Sequence, residues 1–483
     1  GRPPVGRAVR GGGSGPLGTV AKSAAAPWKS TGSAAAAQGR RYTLLRQAQA
    51  LLYNREIPAE KQHRTAWCHR SLRGESVAVY RSDRTARLAG LMTCGSVWTC
   101  PVCSARVTEA RREELTTALG RWSERGGLAM LLTVTFPHPL DRFEWNDAPN
   151  PTPSVRLQRE SDLLAGLVER FGKALRSWKG SRAYRAVMEQ LKHAGSVRSL
   201  EVTVGDANGW HPHTHDLVLA RRELTMFRPD AIDATARRLK VANTAANWLR
   251  IAAALRADPA AFELAITDDY RTLRDGWIAA CLRVGLVMPS DLESMRLHAL
   301  DVRGGAYAAE YIAKFGREAE GWSLASELTR PHSKIGGRRL TSPGEHYTPF
   351  QLLAASAEGD AWSGFRFRAF AEVFSGRRML SWSRGLRREL LGDEEGASDD
   401  ELAADDAPLP EQTLAGELTI EQYRALQARN MVGDFVEHVV AYQADQAAID
   451  LYVADAVECI PPDWGDTLRR RRSYGGGFAL MDA

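Results

Sequence analysis

The stretch 'GWHPHTHDLVLA', Gly209–Ala220, sets our expectation of the fold, because its pattern changes halfway along. Histidines occupy every second position of its first half, at His211, His213 and His215, and an apolar run follows. Alternate side chains of a β-strand share one face, so the pattern predicts a strand. Since proline suits a strand start or edge, Pro212 leads us to expect that His213 and His215 project together and that His211 flanks them.

A second strand, 'SLEVTV', precedes the first one and carries Glu201 as an isolated acid. The intervening 'GDANG' has strong turn chemistry. If the two strands fold back on each other across this turn, the Glu201 carboxylate would lie near His213 and His215, and the three side chains could bind one metal ion. Two imidazoles and one carboxylate suit Mn²⁺ or Mg²⁺ in Lewis-acid work on a phosphate. The alternative interpretation is an edge strand with surface histidines and a solvent-facing glutamate.

Four of the six cysteines lie before residue 104, as Cys68, Cys94, Cys100 and Cys103. The last two form 'CPVC', the knuckle spacing in which two thiolates bind one Zn²⁺. The other two would complete a closed, structural set of four thiolates, with His69 as an alternative ligand. A redox pair or unrelated cysteines are the competing interpretations.

Charge is distributed unevenly over the 483 residues, whose net charge is +6. Residues 1–41 hold seven basic and no acidic side chains, residues 393–411 hold nine acids and no base, and residues 42–392 carry a net +13. A body this basic favours a polyanionic partner, nucleic acid first. No apolar run approaches the roughly 18 residues of a membrane span. The first residues also lack the apolar region that is typical of a secretory signal peptide. We therefore expect a cytoplasmic protein without a membrane partner.

Composition, cysteine spacing and periodicity predict a chain of both helices and strands, with a small zinc-binding unit before the strands and helical regions towards the C-terminus. A helix over Ala105–Arg125 and a strand over Leu128–Phe136 mark where the zinc-binding unit meets the sheet. The expected units are a disordered basic tail (1–41), the zinc-binding unit (42–125), a domain that contains the strands (126–330), a basic helical extension (331–392), an acidic linker (393–416) and a small helical C-terminal unit (417–483).

The segment 'GAYAAEYIAKFG' places Tyr307, Tyr311 and Lys314 on one face of a predicted helix. A nearby cation and an ammonium group can favour a phenolate and make it a nucleophile. Packing tyrosines and a solvated lysine are the alternative.

The order 'LLTVTF', 'HPHTH', 'YIAK', with 'CPVC' before it and 'RPHSKIGGRRLTSPGEHYTPF' after it, resembles the HUH endonucleases. More narrowly, it is similar to rolling-circle replication initiators of actinobacterial plasmids, over roughly residues 64–390. The resemblance implies an α+β protein with the HUH endonuclease fold, a central antiparallel sheet flanked by helices, in which a tyrosine helix lies beside the sheet. It makes residues 126–330 the HUH nuclease domain. It also implies one divalent metal, Mn²⁺ or Mg²⁺, on His213 and His215, with Glu201 as third ligand.

By the same resemblance, Tyr311 would be the nucleophile, Lys314 would orient metal or phosphate, and Thr133 and Thr135 would support the site. Some relatives place an acid one turn before the nucleophile, where this chain has Tyr307. That residue is either a second nucleophile or a packing residue.

The implied activity is nicking and joining of single-stranded or extruded plasmid origin DNA, through a 5′-phosphotyrosine and with a free 3′-OH primer. No GxxxxGK[ST] phosphate loop occurs, so we expect a host helicase as partner. The rival hypotheses are a transposase or relaxase with the same site, and a non-enzymatic, zinc-containing DNA-binding regulator.

Overall fold

The computed structural model of the chain describes residues 34–137, 153–205, 209–244, 247–304, 346–393 and 395–458. The helices in these ranges are α1 (Ala34–Leu52), α2 (Pro101–Glu124), α3 (Pro153–Lys179), α4 (Arg182–Gln190), α5 (Pro229–Leu239), α6 (Trp248–Arg256), α7 (Pro259–Ala265), α8 (Asp268–Arg283), α9 (Leu292–His298), α10 (Pro349–Ala357), α11 (Ala361–Phe374), α12 (Leu386–Leu391), α13 (Asp399–Ala404), α14 (Ile420–Ala428), α15 (Val432–Ala441) and α16 (Gln446–Glu458). The strands are β1 (Ser76–Arg81), β2 (Ala86–Ala89), β3 (Leu128–Val134), β4 (Gly195–Gly205), β5 (Gly209–Ala220), β6 (Leu300–Arg303), β7 (His346–Tyr347), β8 (Leu380–Trp382) and β9 (Thr413–Thr419). Short 3₁₀ turns occur at Ala59–Lys61, Arg64–Trp67 and Pro289–Asp291.

The larger sheet has the order β6-β3-β5-β4, with β7 and β8 pairing at opposite ends of β4. All these pairs are antiparallel. The predicted α+β class, with an antiparallel sheet flanked by helices, is confirmed. The two strands expected on either side of 'GDANG' are β4 and β5, and the strand expected from Leu128 is β3.

Apolar side chains project from both faces of this sheet, so helices cover both faces. On one face Met130 and Leu132 join the main core, to which Phe171 of α3 belongs. On the other face Leu131 and Leu217 pack in a second cluster with Leu119 of α2. That second cluster covers only one end of its face, because the strands become polar towards the other end.

A smaller sheet, β2-β1-β9, joins the two ends of the described chain. Its outer strand β9 pairs with β1, more than 330 residues earlier, from Ser76↔Thr419 to Arg81↔Thr413. Helix α15 crosses α1 so closely that a Cβ on Gly433 would lie 2.7 Å from the carbonyl oxygen of Gly39. The C-terminal helices therefore pack on the cysteine-bearing part of the chain.

Two segments differ from the sequence-based expectation. Helix α1 begins at Ala34, inside the tail expected to be disordered to residue 41, and its buried residues include Tyr42 and Leu45. The segment expected to be an acidic linker, 393–416, contains α13 and the start of β9. A capping box at Ser398 starts α13, and β9 forms because a distant strand offers it an open edge.

A buried ion triad lies on the main-core face of β5. The Asp216 carboxylate is fully buried and accepts from Lys179 Nζ at 2.7 Å and Arg198 Nε at 2.8 Å. Burial alone would raise the pKa of Asp216, but these two cations hold it below its ordinary value. Asp216 therefore stabilises the fold above pH about 4, and that contribution is lost as pH falls through the depressed pKa.

We expect Asp216→Asn to lower the free energy of unfolding at pH 7 by about 3 kcal/mol, because it leaves two cations near a buried site without a counter-charge. Urea denaturation at pH 7 measures the change. Asp455→Asn, which removes an exposed carboxylate, is the matched control and should change stability little. Equal stability of the Asp216→Asn variant and the wild type would contradict a stabilising role for the triad.

Candidate functional site: two groups of metal-ligand side chains

The register of β4 against β5 brings the predicted metal ligands together. Glu201 lies directly opposite His213, and Ser199 lies opposite His215, without a register shift along the pair. Because side chains alternate, Glu201 and both histidines project from the face that carries the second, smaller cluster. Glu201 and His215 are buried, and His213 is half-buried.

Pro212 does not bend the strand. It lies within β5, paired with Val202, so His211 keeps the same face as His213 and His215. Pairing with β3 ends at Thr214, so on that side no ladder hydrogen bond is required of Pro212. The ring of His211 stacks on that of His213, with centroids 4.9 Å apart. His211 therefore lies next to His213 on the same face of the sheet.

One carboxylate oxygen lies between the two imidazoles. Glu201 Oε2 is 2.9 Å from His213 Nε2 and 3.2 Å from His215 Nε2. One ligand atom from each of the three residues lies within 4.8 Å of the others. Burial alone would raise the pKa of Glu201, but the charge and hydrogen bonds of His213 and His215 hold it well below its ordinary value. The group is therefore an anionic carboxylate flanked by two nitrogen donors, a donor set that fits a divalent cation.

The far nitrogen of each histidine has its own partner. His213 Nδ1 donates to the carbonyl oxygen of His211 at 3.3 Å, and His215 Nδ1 lies 3.0 Å from Thr133 Oγ1. A carbonyl oxygen can only accept, so this bond places a proton on His213 Nδ1. When the ring is neutral, its Nε2 then carries a lone pair and can bind a metal ion. Thr135 Oγ1 lies 2.5 Å from His211 Nε2. Such contacts fix the orientation of metal-binding imidazoles.

The four predicted cysteines form a second group. Cys68 Sγ lies 3.5 Å from Cys103 Sγ and 3.6 Å from Cys100 Sγ, and Cys94 Sγ lies 3.8 Å from Cys103 Sγ. Zn–S bonds of about 2.3 Å in a tetrahedron place sulfurs about 3.8 Å apart, close to these distances. All four side chains are buried. The group can therefore hold one metal ion in a closed site with four sulfur ligands.

The cysteine group is organised by the start of α2. Cys100 caps this helix, and its Sγ accepts from the backbone N–H of Cys103 at 3.3 Å. Hydrogen bonds from the neighbouring thiols lower the pKa of Cys103 well below its ordinary value. His69, the alternative ligand, is buried against Tyr42 with ring centroids 5.7 Å apart, and it is not a member of the metal-ligand group.

A protein named "Protein rep", from Streptomyces lividans, is 31% identical over 352 residues, which are 67% of this chain and 70% of that protein. The chain belongs to the actinobacterial plasmid Rep family. A "Neomycin resistance protein" from Streptomyces cyanogenus is 35% identical over 140 residues, 27% of this chain and 31% of that protein. No family model and no solved structure matches the chain.

Three of the predicted site residues of this Rep-family chain, Tyr307, Tyr311 and Lys314, lie outside the residues that the structure describes. The described chain reaches Gly304 just after β6, which is next to β3, and resumes at β7, which pairs with β4. No helix among the described residues is long and apolar enough to cross a membrane.

Sequence reasoning missed one histidine near the site. His346 in β7 pairs with Gly205 of β4, and its ring centroid is 6.1 Å from that of His211. Burial and the nearby charge of His213 lower its pKa. The two-residue strand 'HY' has no periodicity, and its partner lies 141 residues earlier, so only the folded sheet places His346 there.

We expect Thr133→Val to weaken Mn²⁺ binding about tenfold, because the residue that orients His215 through Nδ1 would be lost. Isothermal titration calorimetry with Mn²⁺ measures the effect. Thr214→Val is the matched control, since this buried hydroxyl projects from the opposite face and has no hydrogen-bond partner among the described residues. Equal affinities of the two variants would contradict the orienting role of Thr133.

We expect the purified protein to bind one Zn²⁺ per chain, and Cys100→Ser to lose the metal together with several degrees of melting temperature. Metal analysis and thermal denaturation measure the two effects. Cys281→Ser is the control, because Cys281 is buried in the core outside the metal-ligand groups. Full zinc content in the Cys100→Ser variant would show that the sulfur group is not the zinc site.

Proposed function

We propose that this protein is a plasmid rolling-circle replication initiator that nicks and joins single-stranded origin DNA as an HUH endonuclease. The observation that carries the proposal is the convergence of Glu201, His213 and His215 on one sheet face, in a chain of the Rep family. A central antiparallel sheet with the histidine pair on an inner strand supports an HUH-type fold.

The three side chains would hold a single Mn²⁺ or Mg²⁺ ion, with His213 and His215 contributing Nε2 and Glu201 an oxygen. A bound ion of this kind would neutralise the charge that develops on the phosphoryl oxygens. Three protein ligands leave positions open for phosphate oxygens, in contrast to the closed four-cysteine group. Thr133 and the His211 carbonyl would keep the two imidazoles oriented.

In this mechanism Tyr311 is the nucleophile. Its phenolic oxygen loses a proton to solvent and forms a bond to phosphorus, while the bond from phosphorus to the 3′ oxygen breaks. The leaving 3′ oxygen takes up a proton and becomes the primer 3′-OH, and the 5′ phosphate stays on the tyrosine. Lys314 would stabilise phosphate charge, and Tyr307 would serve either as a second nucleophile or as a packing residue.

The position of the tyrosine segment in the chain is consistent with this assignment. The segment follows β6 and precedes β7, and both strands belong to the sheet that carries the histidines. The substrate would be origin DNA, single-stranded or extruded as a hairpin, with a host helicase supplying unwinding. The cysteine group would hold a structural Zn²⁺. The six units expected from the sequence remain the proposed division of the chain, except that α1 begins within the tail and residues 393–416 contain α13 and the start of β9.

We expect a covalent adduct, stable in SDS, when the protein meets single-stranded origin DNA and Mn²⁺. His213→Ala should lower its rate of formation about 100-fold or more, equivalent to the several kcal/mol that a metal ion contributes. Tyr311→Phe should abolish the adduct, and mass spectrometry identifies the linked residue. Parallel reactions with Mg²⁺ and Zn²⁺ determine which ion supports the reaction.

The controls separate the rival functions. His193→Ala, a histidine outside the metal-ligand groups, should react like wild type. No adduct with any origin strand or ion would favour a DNA-binding regulator. Loss of the adduct in Tyr307→Phe alone would reassign the nucleophile. Activity on transposon-end or transfer-origin strands, but not on a replication origin, would favour a transposase or relaxase.

A further inference from the structure

The acidic segment, residues 393–411, lies across a group of arginines in the cysteine-bearing part of the chain. These arginines come from three places: the 3₁₀ turn before Cys68, the region of β1 and β2, and α2. We call this group the arginine surface. Its members are Arg64, Arg73, Arg87, Arg106 and Arg111.

Helix α13 provides the first two contacts. Asp399 Oδ1 lies 2.8 Å from Arg111 Nη2, and Asp400 Oδ1 lies 2.9 Å from Arg64 Nη2. A side chain at Gly95, next to Cys94, would collide with the Asp400 carboxylate. The acidic segment therefore packs against the loop that carries Cys94.

The residues after α13 provide the remaining contacts. Asp406 pairs with Arg73, and its other oxygen lies 3.6 Å from Arg106 Nη1. Arg87 donates to the backbone carbonyl of Asp405. Further carbonyl oxygens of the segment accept from these arginines, at Ala397 (2.7 Å from Arg111), Ala403 (3.0 Å from Arg106) and Ala404 (2.7 Å from Arg73). Three ion-paired carboxylates of the segment thus face five guanidinium groups.

A nucleic-acid backbone offers these guanidinium groups the same ligands, a row of anionic oxygens along a chain. Helix α2, which bears Arg106 and Arg111, packs through Leu119 on the sheet face that carries Glu201 and His213. We propose that the arginine surface is a second DNA-binding surface, which contacts phosphates without reading sequence, and that the acidic segment occupies it in place of DNA. The choice of DNA as the polyanion rests on the proposed function.

The ion pairs between the acidic segment and the arginine surface differ in their exposure to solvent. The Arg64 and Asp400 side chains are 64% and 57% exposed, and such a surface pair contributes at most about 1 kcal/mol. The Arg111 and Asp399 side chains are only 13% and 29% exposed, so this pair is partly buried. Ala403 of α13 is fully buried, which anchors the segment on the surface. A carboxylate and a phosphate cannot take the same guanidinium N–H groups together, so binding of DNA requires release of the segment.

The test measures binding of short random-sequence single strands and duplexes, without Mn²⁺ or Mg²⁺ and in the His213→Ala background. Nicking is then absent, and failure of the nuclease proposal does not affect the result. The combined variant Asp399→Asn, Asp400→Asn and Asp406→Asn should bind DNA about tenfold more tightly at low salt, with a log–log salt slope steeper by about 3, because freed arginines contact phosphates.

A matched control removes the same charge elsewhere. Glu421→Gln, Asp434→Asn and Asp455→Asn neutralise three exposed carboxylates of the C-terminal helices and should change affinity less than about twofold, since only long-range charge differs. Arg64→Gln with Arg73→Gln should reverse the gain of the Asp399/Asp400/Asp406 variant. The same two arginine substitutions should have little effect when the segment is intact.

Hydrogen–deuterium exchange on the wild-type segment covers the case in which the aspartate variant does not fold. Amides of residues 395–406 should exchange faster when random-sequence DNA is bound, because the segment leaves the surface. Unchanged exchange, or an equal gain in affinity from the control variant, would overturn the proposal. A folded aspartate variant with wild-type DNA affinity and reduced thermal stability would assign the contacts a purely structural role.

Discussion

The antiparallel register between β4 and β5 is the constraint on which the candidate metal site depends. It places Glu201 opposite His213 and leaves one carboxylate oxygen within 3.2 Å of both Nε2 atoms. A slip of one residue would move either the glutamate or the histidines to the other face of the sheet. Apolar residues on both faces oppose such a slip, because it would exchange the residues buried in the two clusters.

The two faces of β5 perform different tasks with adjacent residues. His215 projects towards Glu201, and Asp216, the next residue, projects into the main core and binds two cations. Because Asp216 is paired with Lys179 and Arg198, a charged carboxylate can be buried directly behind the site. The site therefore lies on a strand whose main-core face carries an ion triad. On the face of the site, Leu217 of the same strand packs in one cluster with Leu119 of α2.

The uneven charge of the chain has a structural counterpart. The five arginines of the arginine surface precede the acidic segment by about 290 to 340 residues, and the fold places the segment on them, around the cysteine group. β9 then pairs with β1, and Tyr423 and Gln427 of α14 both donate to the carbonyl oxygen of His69, next to Cys68. The cysteine group, the acidic segment and the C-terminal helices thus share one packed region, in which a bound metal would stabilise all three.

Periodicity and the 'GDANG' turn by themselves predicted the strand pair β4 and β5 and the shared face of His213 and His215, because both follow from short spacings. The cysteine spacing indicated a metal site, but only the fold brings Cys68 to the other three sulfurs. The sequence could not predict His346, β9 or the course of residues 393–411, since their partners lie about 140 to more than 330 residues away and no local pattern encodes those contacts. It also left open whether Pro212 separates His211 from its neighbours. The tertiary structure decided this. The pairing of β3 ends at Thr214, so on that side Pro212 interrupts no ladder hydrogen bond, and β5 continues through it to Gly209.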